Sequence, residues 1–339
     1  MNTERLAMWL AAYPRRKFFC LALAALALGA LPAHAEPPGD GGKIRLLYNE
    51  GGTNSFIPFT IRKFGLDKKH GFELIPIPTT TPAAGMTAMK AGAADAHTFG
   101  WNEIARMNNS GIPVIGVAPF LRWGADFILV SKDSPIKTIG DLKGKKVGTN
   151  SRTALNWVAM MAVGEKKFGL TEKEMTIHEG APPLLRALLE QGSLDATHMF
   201  NSVTPSMIVS GKTRVLAKIS DLINEFGMPD TPFLLYAFDT KYVAAKPQNV
   251  KAFVAAYQDA VQILRTDDQV WLDRGRELQF PDEASALFRK EARTDIWSRF
   301  EPDTEAKIKK VFAAYLPVAG PEVLGIATLP DGFMTVAFQ

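Results

Sequence analysis

The chain has 339 residues, 47% of them hydrophobic and 22% charged, with 39 Lys and Arg against 35 Asp and Glu. That balance suits a globular protein of one large or two medium domains, whose core needs no disulfide or metal staple. Most of the +4 net charge comes from Arg5, Arg15, Arg16 and Lys17 against Glu4. The rest is near neutral, which argues against nucleic acid or an anionic membrane surface as a partner.

Arg15, Arg16 and Lys17 precede an apolar run over residues 18–31, and Ala33-His34-Ala35 forms a small-x-small cleavage signal. The run is too short for a comfortable membrane span. Residues 1–35 therefore read as a secretory signal peptide cleaved near Ala35, with the mature protein in the periplasm. Arg15-Arg16-Lys17-Phe18-Phe19 also resembles a twin-arginine signal, although Pro14 stands where that pattern prefers Ser or Thr. Both export routes stay open. The only cysteine, Cys20, is removed with the signal, so no disulfide or thiol chemistry is expected.

Residues 36–42 are Pro- and Gly-rich and read as a flexible leader, and residues 43–48 (KIRLLY) as a buried strand. From there strands and helices alternate, which predicts an α/β fold with mixed, mostly parallel sheets. Two stretches repeat one another. Thr53-Asn54-Ser55 and Arg62 to Lys69 (RKFGLDKK) are echoed by Thr149-Asn150-Ser151 and Lys166 to Lys173 (KKFGLTEK). Ala91 to Ala96 (AGAADA) is echoed by Gln191 to Ala196 (QGSLDA). The glycine of each KFGL suits a helix C-terminal cap. The longer second spacer predicts a longer second helix. Two copies are too few for a solenoid and predict two similar lobes around a cleft. The apolar runs 127–130 and 233–238 are expected as two hinge strands. Lobe 1 would then hold residues 43–130 and 233–339, and lobe 2 residues 131–232. Residues 249–264, with Phe253, Ala256, Tyr257, Ala260 and Ile263 at helical spacing, predict a C-terminal helix of lobe 1.

Ligands of open α/β sheets bind beyond the carboxyl ends of the strands. Those places hold Asn49, Thr53 and Asn54; Thr80 and Thr81; Trp101 and Asn102; Asn150, Ser151, Arg152 and Thr153; and Asn201. Helix-opening loops offer free N–H groups and a positive dipole end; the same residue types also serve as plain helix N-caps. Trp101 and Trp123 follow strands and could clamp a ligand face, whereas Trp157 lies inside a helix and reads as packing. Arg122 and Arg152 could pair an anion in bidentate fashion, while Glu50 and Glu103 could bind an amine. No G-x-S-x-G, H-E-x-x-H or P-loop is present. His97 and His198 lack an acidic partner at diagnostic spacing. No metal, cofactor or catalytic residue is expected.

Residues 43–48, the RKFGLDKK phrase before Phe72-Glu73-Leu74, and above all residues 130–148 (VSKDSPIKTIGDLKGKKVG) carry a family resemblance. They resemble the nitrate/sulfonate/taurine/thiamine-precursor group of ABC-importer substrate-binding proteins. The likeness is closest over residues 43–222. It implies the type II periplasmic-binding fold, a small-molecule ligand, a membrane permease and an ATPase as partners, and a monomer. It implies ligand contacts at Thr53, Asn54, Thr80, Thr81, Asn150, Ser151 and Thr153. The group often carries an aromatic His-Tyr pair after the last of these loops; here Asn156-Trp157 stands nearby. Relatives take nitrate, sulfonates, taurine, thiamine precursors or aromatic anions. The aromatic candidates and arginines tilt the expectation toward a small organic anion or heteroaromatic compound, of the sulfonate, taurine or thiamine-precursor kind, held in the cleft between the lobes. A ligand-sensing module of a membrane receptor and a thiamine-pyrimidine-synthase-like enzyme are the alternatives; the latter uses a cysteine cluster that this chain lacks.

Overall fold

The computed structural model describes residues 39–79, 82–123, 125–152, 154–225 and 227–339. The signal-peptide expectation for residues 1–35 and the first part of the leader lie outside the described residues.

Among the described residues, ten strands form two five-stranded sheets. They are β1 (Lys43–Asn49), β2 (Glu73–Thr79), β3 (Ala96–Gly100), β4 (Val114–Arg122), β5 (Phe127–Ser131), β6 (Lys146–Thr149), β7 (Thr176–Glu179), β8 (Ala196–Met199), β9 (Thr213–Lys218) and β10 (Pro232–Asp239). The sheet orders are β2-β1-β3-β10-β4 and β7-β6-β8-β5-β9. In each, the first three strands pair in parallel and the fourth runs antiparallel to both of its neighbours. Each sheet thus takes its fourth strand from a chain crossover.

The helices of the first half are α1 (Phe56–Lys63), α2 (Leu66–Lys69), α3 (Pro82–Lys90) and α4 (Trp101–Asn109). The second sheet is accompanied by α5 (Leu155–Phe168), α6 (Pro182–Glu190), α7 (Thr204–Val209) and α8 (Ile219–Glu225). The C-terminal part adds α9 (Thr240–Ala245), α10 (Pro247–Thr266), α11 (Gln269–Glu277), α12 (Asp282–Asp295) and α13 (Thr304–Leu324), the last kinked at Gly320.

The internal repeat has a structural cause. Gly65 and Gly169 both take the left-handed conformation, at φ 62° and 59°, where a side chain would be strained. Asp95 accepts from the backbone N–H of Arg45 at 2.7 Å, and Asp195 from that of Lys146 at 2.8 Å. Each aspartate therefore binds its turn to the start of the neighbouring parallel strand, β1 in one sheet and β6 in the other. The second helix is the longer one, 14 residues in α5 against 8 in α1. The Thr-Asn-Ser pair, by contrast, is out of register. Leu46 and Val147 occupy matching places, opposite Ala96 and Ala196. Thr149 therefore matches Tyr48, and Thr53 lies in a 3-10 turn beyond the strand.

The hinge expectation needs correction. Phe127–Ser131 is wholly a member of the second sheet, paired with β8 and β9, and β10 is wholly a member of the first. The crossovers fall between Arg122 and Phe127 and between Glu225 and Pro232. An all-apolar strand is buried on both faces, so its pattern cannot say which sheet it joins.

The apolar core follows the sheets. Ile44, Leu46, Phe120, Tyr236 and Phe238 face Phe253 and Tyr257 of α10, as the helical spacing predicts. The C-terminal helices reach the second half as well: α12 packs on α7 and α13 on α5.

Candidate functional site

The parallel strands end on Asn49, Thr79 and Gly100 in one sheet and on Thr149, Glu179 and Met199 in the other. After β1 the chain turns at Gly52, which donates to the Asn49 carbonyl at 3.0 Å, and enters the Thr53–Ser55 turn that opens α1. Asn54 ties this corner together. Its Oδ1 accepts from the Asn49 N–H at 3.2 Å, and its Nδ2 donates to Thr98 of β3 at 2.8 Å. Thr79 donates to Asn49 Oδ1 at 2.9 Å. From the C-terminal part, the buried Arg274 donates to the Glu50 carbonyl at 3.3 Å and to the Ser55 hydroxyl at 3.4 Å. Asn49 and Asn54 are thus bound into a scaffold that presents Thr53.

Thr53 meets the opposite lobe. Its hydroxyl donates to Asn201 Oδ1 at 2.8 Å, and both residues are buried. The loops after β1 and β8 therefore touch. Trp101, the first residue of α4, stacks on Trp123 of the crossover at 5.3 Å between ring centroids. Trp123 stacks in turn on Tyr315 of α13 at 5.2 Å. Asn102 reaches the Leu324 carbonyl of α13 at 3.4 Å. Asn150 and Ser151 are half-buried at the end of β6. Thr80, Thr81 and Thr153 lie outside the described residues.

Neither arginine meets the expectation of a free anion clamp. Arg152 forms an ion pair with Glu172, to which its Nε donates at 2.8 Å, and Trp157 Nε1 donates to the same carboxylate at 2.6 Å. Arg122 pairs with Asp230 at 3.1 Å and faces the buried Asp295 at 3.7 Å. Arg152 thus has its charge and its fork of donors engaged, whereas Arg122 is charge-paired while its buried Nε has no hydrogen-bond partner among the described residues. Glu103 accepts from the Gly100 N–H at 2.9 Å, closing the start of α4, and burial pushes its carboxyl up. Glu50 is exposed.

The two histidines have different surroundings. His97 is buried, and its Nδ1 donates to the Leu47 carbonyl at 2.8 Å. Burial lowers its pKa to about 4, and that hydrogen bond offsets the effect only in part. His198 does have an acidic neighbour, one that sequence spacing could not reveal. Its Nε2 lies 3.1 Å from Asp126 and its Nδ1 3.2 Å from the Thr149 hydroxyl. Asn156 Nδ2 donates to the same Asp126 oxygen at 2.7 Å. The order hydroxyl, imidazole, carboxylate matches a nucleophile relay. Thr149 is completely buried, however, and also donates to the Ser151 carbonyl at 3.2 Å. The set ties the crossover at Asp126 to β6, β8 and α5 beneath the second half of the site.

Among the described residues, no group of His, Cys, Asp and Glu is arranged to hold a metal ion, and no helix is long and apolar enough to cross a membrane. Two surface recesses of about 490 and 430 Å³ are lined by neither Thr53 nor Asn201. One surrounds Arg122, Asp230 and Trp297, and the other Tyr48, Arg62 and Arg274.

A family model described as NMT1/THI5 like matches residues 65–269, more than half of the chain. The chain belongs to the NMT1/THI5-like family. A protein of Escherichia coli (strain K12) named for the binding of aliphatic sulfonates is 29% identical over 158 residues. The alignment spans 45% of this chain and 44% of that relative, less than half the length of either. Among solved structures, the periplasmic aliphatic sulphonate binding protein SsuA from Escherichia coli superposes with a TM-score of 0.68 at 19% identity, covering 81% of this chain and 92% of that one. The alkanesulfonate-binding protein SsuA from Xanthomonas axonopodis pv. citri, bound to MOPS, gives 0.68 at 17% identity, covering 89% and 99%. These likenesses establish the two-lobed α/β fold of periplasmic binding proteins.

Proposed function

We propose that this chain is the extracytoplasmic solute-binding subunit of an ABC importer, taking up a small organic anion of the sulfonate class in the cleft between its lobes. The observation that carries this reading is the Thr53–Asn201 contact, which joins the strand-end loops of two like-built halves. A site divided between two lobes responds to ligand by closing, because only the closed form satisfies both halves. The names of the sulfonate-binding relative and of the structural neighbours favour the same ligand class. On this reading residues 1–35 export the chain to the periplasm, and a permease and an ATPase accept the loaded monomer. It performs no chemistry on its cargo.

The test is a thermal-shift screen of the purified chain against alkanesulfonates, taurine, MOPS, nitrate, thiamine precursors and aromatic carboxylates. A ligand that binds only the native state raises the melting temperature, by about 2.7 kcal/mol of stabilisation at one hundred times its Kd. A shift confined to sulfonates supports the proposal. A shift with another class keeps the receptor role and changes the cargo, and no shift with any class removes the import reading.

A further inference from the structure

Resting on the sulfonate reading above, we propose that the ligand's acceptor atoms are held by uncharged donors from both lobes, Asn201, Trp101, Trp123 and Tyr315, and not by an arginine. Trp101 Nε1, Trp123 Nε1, the Tyr315 hydroxyl and Asn201 Nδ2 are buried polar atoms without a hydrogen-bond partner among the described residues. Three of them belong to one ladder of rings, with Trp123 stacked on Trp101 at an interplanar angle of 23° and on Tyr315 at 26°. The fourth sits at the junction of the lobes, because the other end of the same amide accepts from Thr53.

The two corners correspond. Ala96 and Ala196 hold matching places in the two sheets, so Trp101 and Asn201, each five residues further on, follow the two central strands at equivalent positions. Each lobe thus brings an unpartnered N–H to the same point of its architecture. Leaving such a group buried and unpaired is costly, and native proteins rarely accumulate such groups without a role.

The chemistry of the set selects its ligand. Indole and amide N–H groups only donate, and burial pushes the Tyr315 phenol up, so it keeps its proton at neutral pH. A sulfonate offers three acceptor oxygens and no proton, which suits a site made of donors. Asn102 Oδ1 is a buried acceptor without a partner beside Trp101. It suits an N–H or O–H placed elsewhere on the ligand. Arg152 is held in a fork on Glu172, and Arg122, although its buried Nε has no partner among the described residues, has its charge paired with Asp230 and Asp295.

The experiment is calorimetric titration of the full chain and its variants with MOPS and with an alkanesulfonate. Asn201→Asp keeps the acceptor for Thr53 but turns the N–H end into an anionic oxygen, and it is expected to weaken binding by more than one hundred-fold. Tyr315→Phe removes one oxygen and keeps the ring; a loss of about ten-fold is expected for a hydrogen bond to a charged group. Melting of each variant without ligand verifies its fold. If the parent binds sulfonates, parental affinity in both variants overturns the inference alone, as does a larger loss on Arg152→Gln than on either. If the parent binds neither probe, the sulfonate reading fails and the inference falls with it.

Discussion

The Thr53 hydroxyl donates to Asn201 Oδ1 at 2.8 Å, a buried bond between residues 148 positions apart that belong to opposite lobes. It sets the two strand-end loops face to face in this conformation.

Replacing Thr53 with Val keeps the side-chain shape and removes this bond. A net contribution of about 0.5–1.5 kcal/mol corresponds to a closed state a few-fold less populated. Small-angle scattering without ligand should show a larger radius of gyration, and titration a several-fold weaker Kd. Identical scattering for parent and variant would show that the bond does not bias closure.

His97 makes stability depend on acidity. Its folded pKa of about 4 lies below the ordinary histidine value of 6.5 because burial disfavours the charged ring. The unfolded chain binds the proton first, so this contribution is fully present above 6.5 and is lost as the pH falls toward 4. At about 1.4 kcal/mol per pKa unit, the group carries about 3 kcal/mol over that window. Urea unfolding at pH 7, 5.5 and 4 should show the parent losing stability more steeply than His97→Gln. Equal slopes would contradict the assignment.

Asp126→Ala removes the carboxylate that accepts from Asn156 at 2.7 Å and faces His198 at 3.1 Å. Loss of two buried hydrogen bonds to a carboxylate is expected to cost about 2–4 kcal/mol in denaturant unfolding. Ligand affinity should fall as well, because the crossover, β6 and β8 lose their common tie. A variant as stable as the parent would show that the network contributes little.

Lys218 of β9 joins the second lobe to α12, reaching Asp295 at 3.1 Å and Glu291 at 3.4 Å. Asp295 is buried, and desolvation raises its pKa despite both nearby cations. Lys218→Met is expected to destabilise by about 3 kcal/mol, since it leaves the buried Asp295 carboxylate with only Arg122, at 3.7 Å, beside it. The double variant Lys218→Met, Asp295→Leu should recover most of that loss. Failure of the second substitution to restore stability would sink the explanation.

Local signals in the chain determined the repeated framework. Gly65 and Gly169 are glycines because a left-handed helix end admits little else, and Asp95 and Asp195 recur because each closes its turn on a strand N–H. The amphipathic spacing of α10 followed from one-sided burial. Asn54, Thr53 and Asn201 were legible as strand-end residues, since ligands of such sheets bind there. Only the tertiary structure decided how those residues are used. It gave β5 to the second sheet, paired Arg152 with Glu172 and Arg122 with Asp230, and brought Tyr315 from the C-terminal helix onto Trp123. None of these is written in local spacing, because helix and strand periodicity records which side of an element is buried, whereas hydrogen-bond and charge partners are chosen by whichever distant element packs against it.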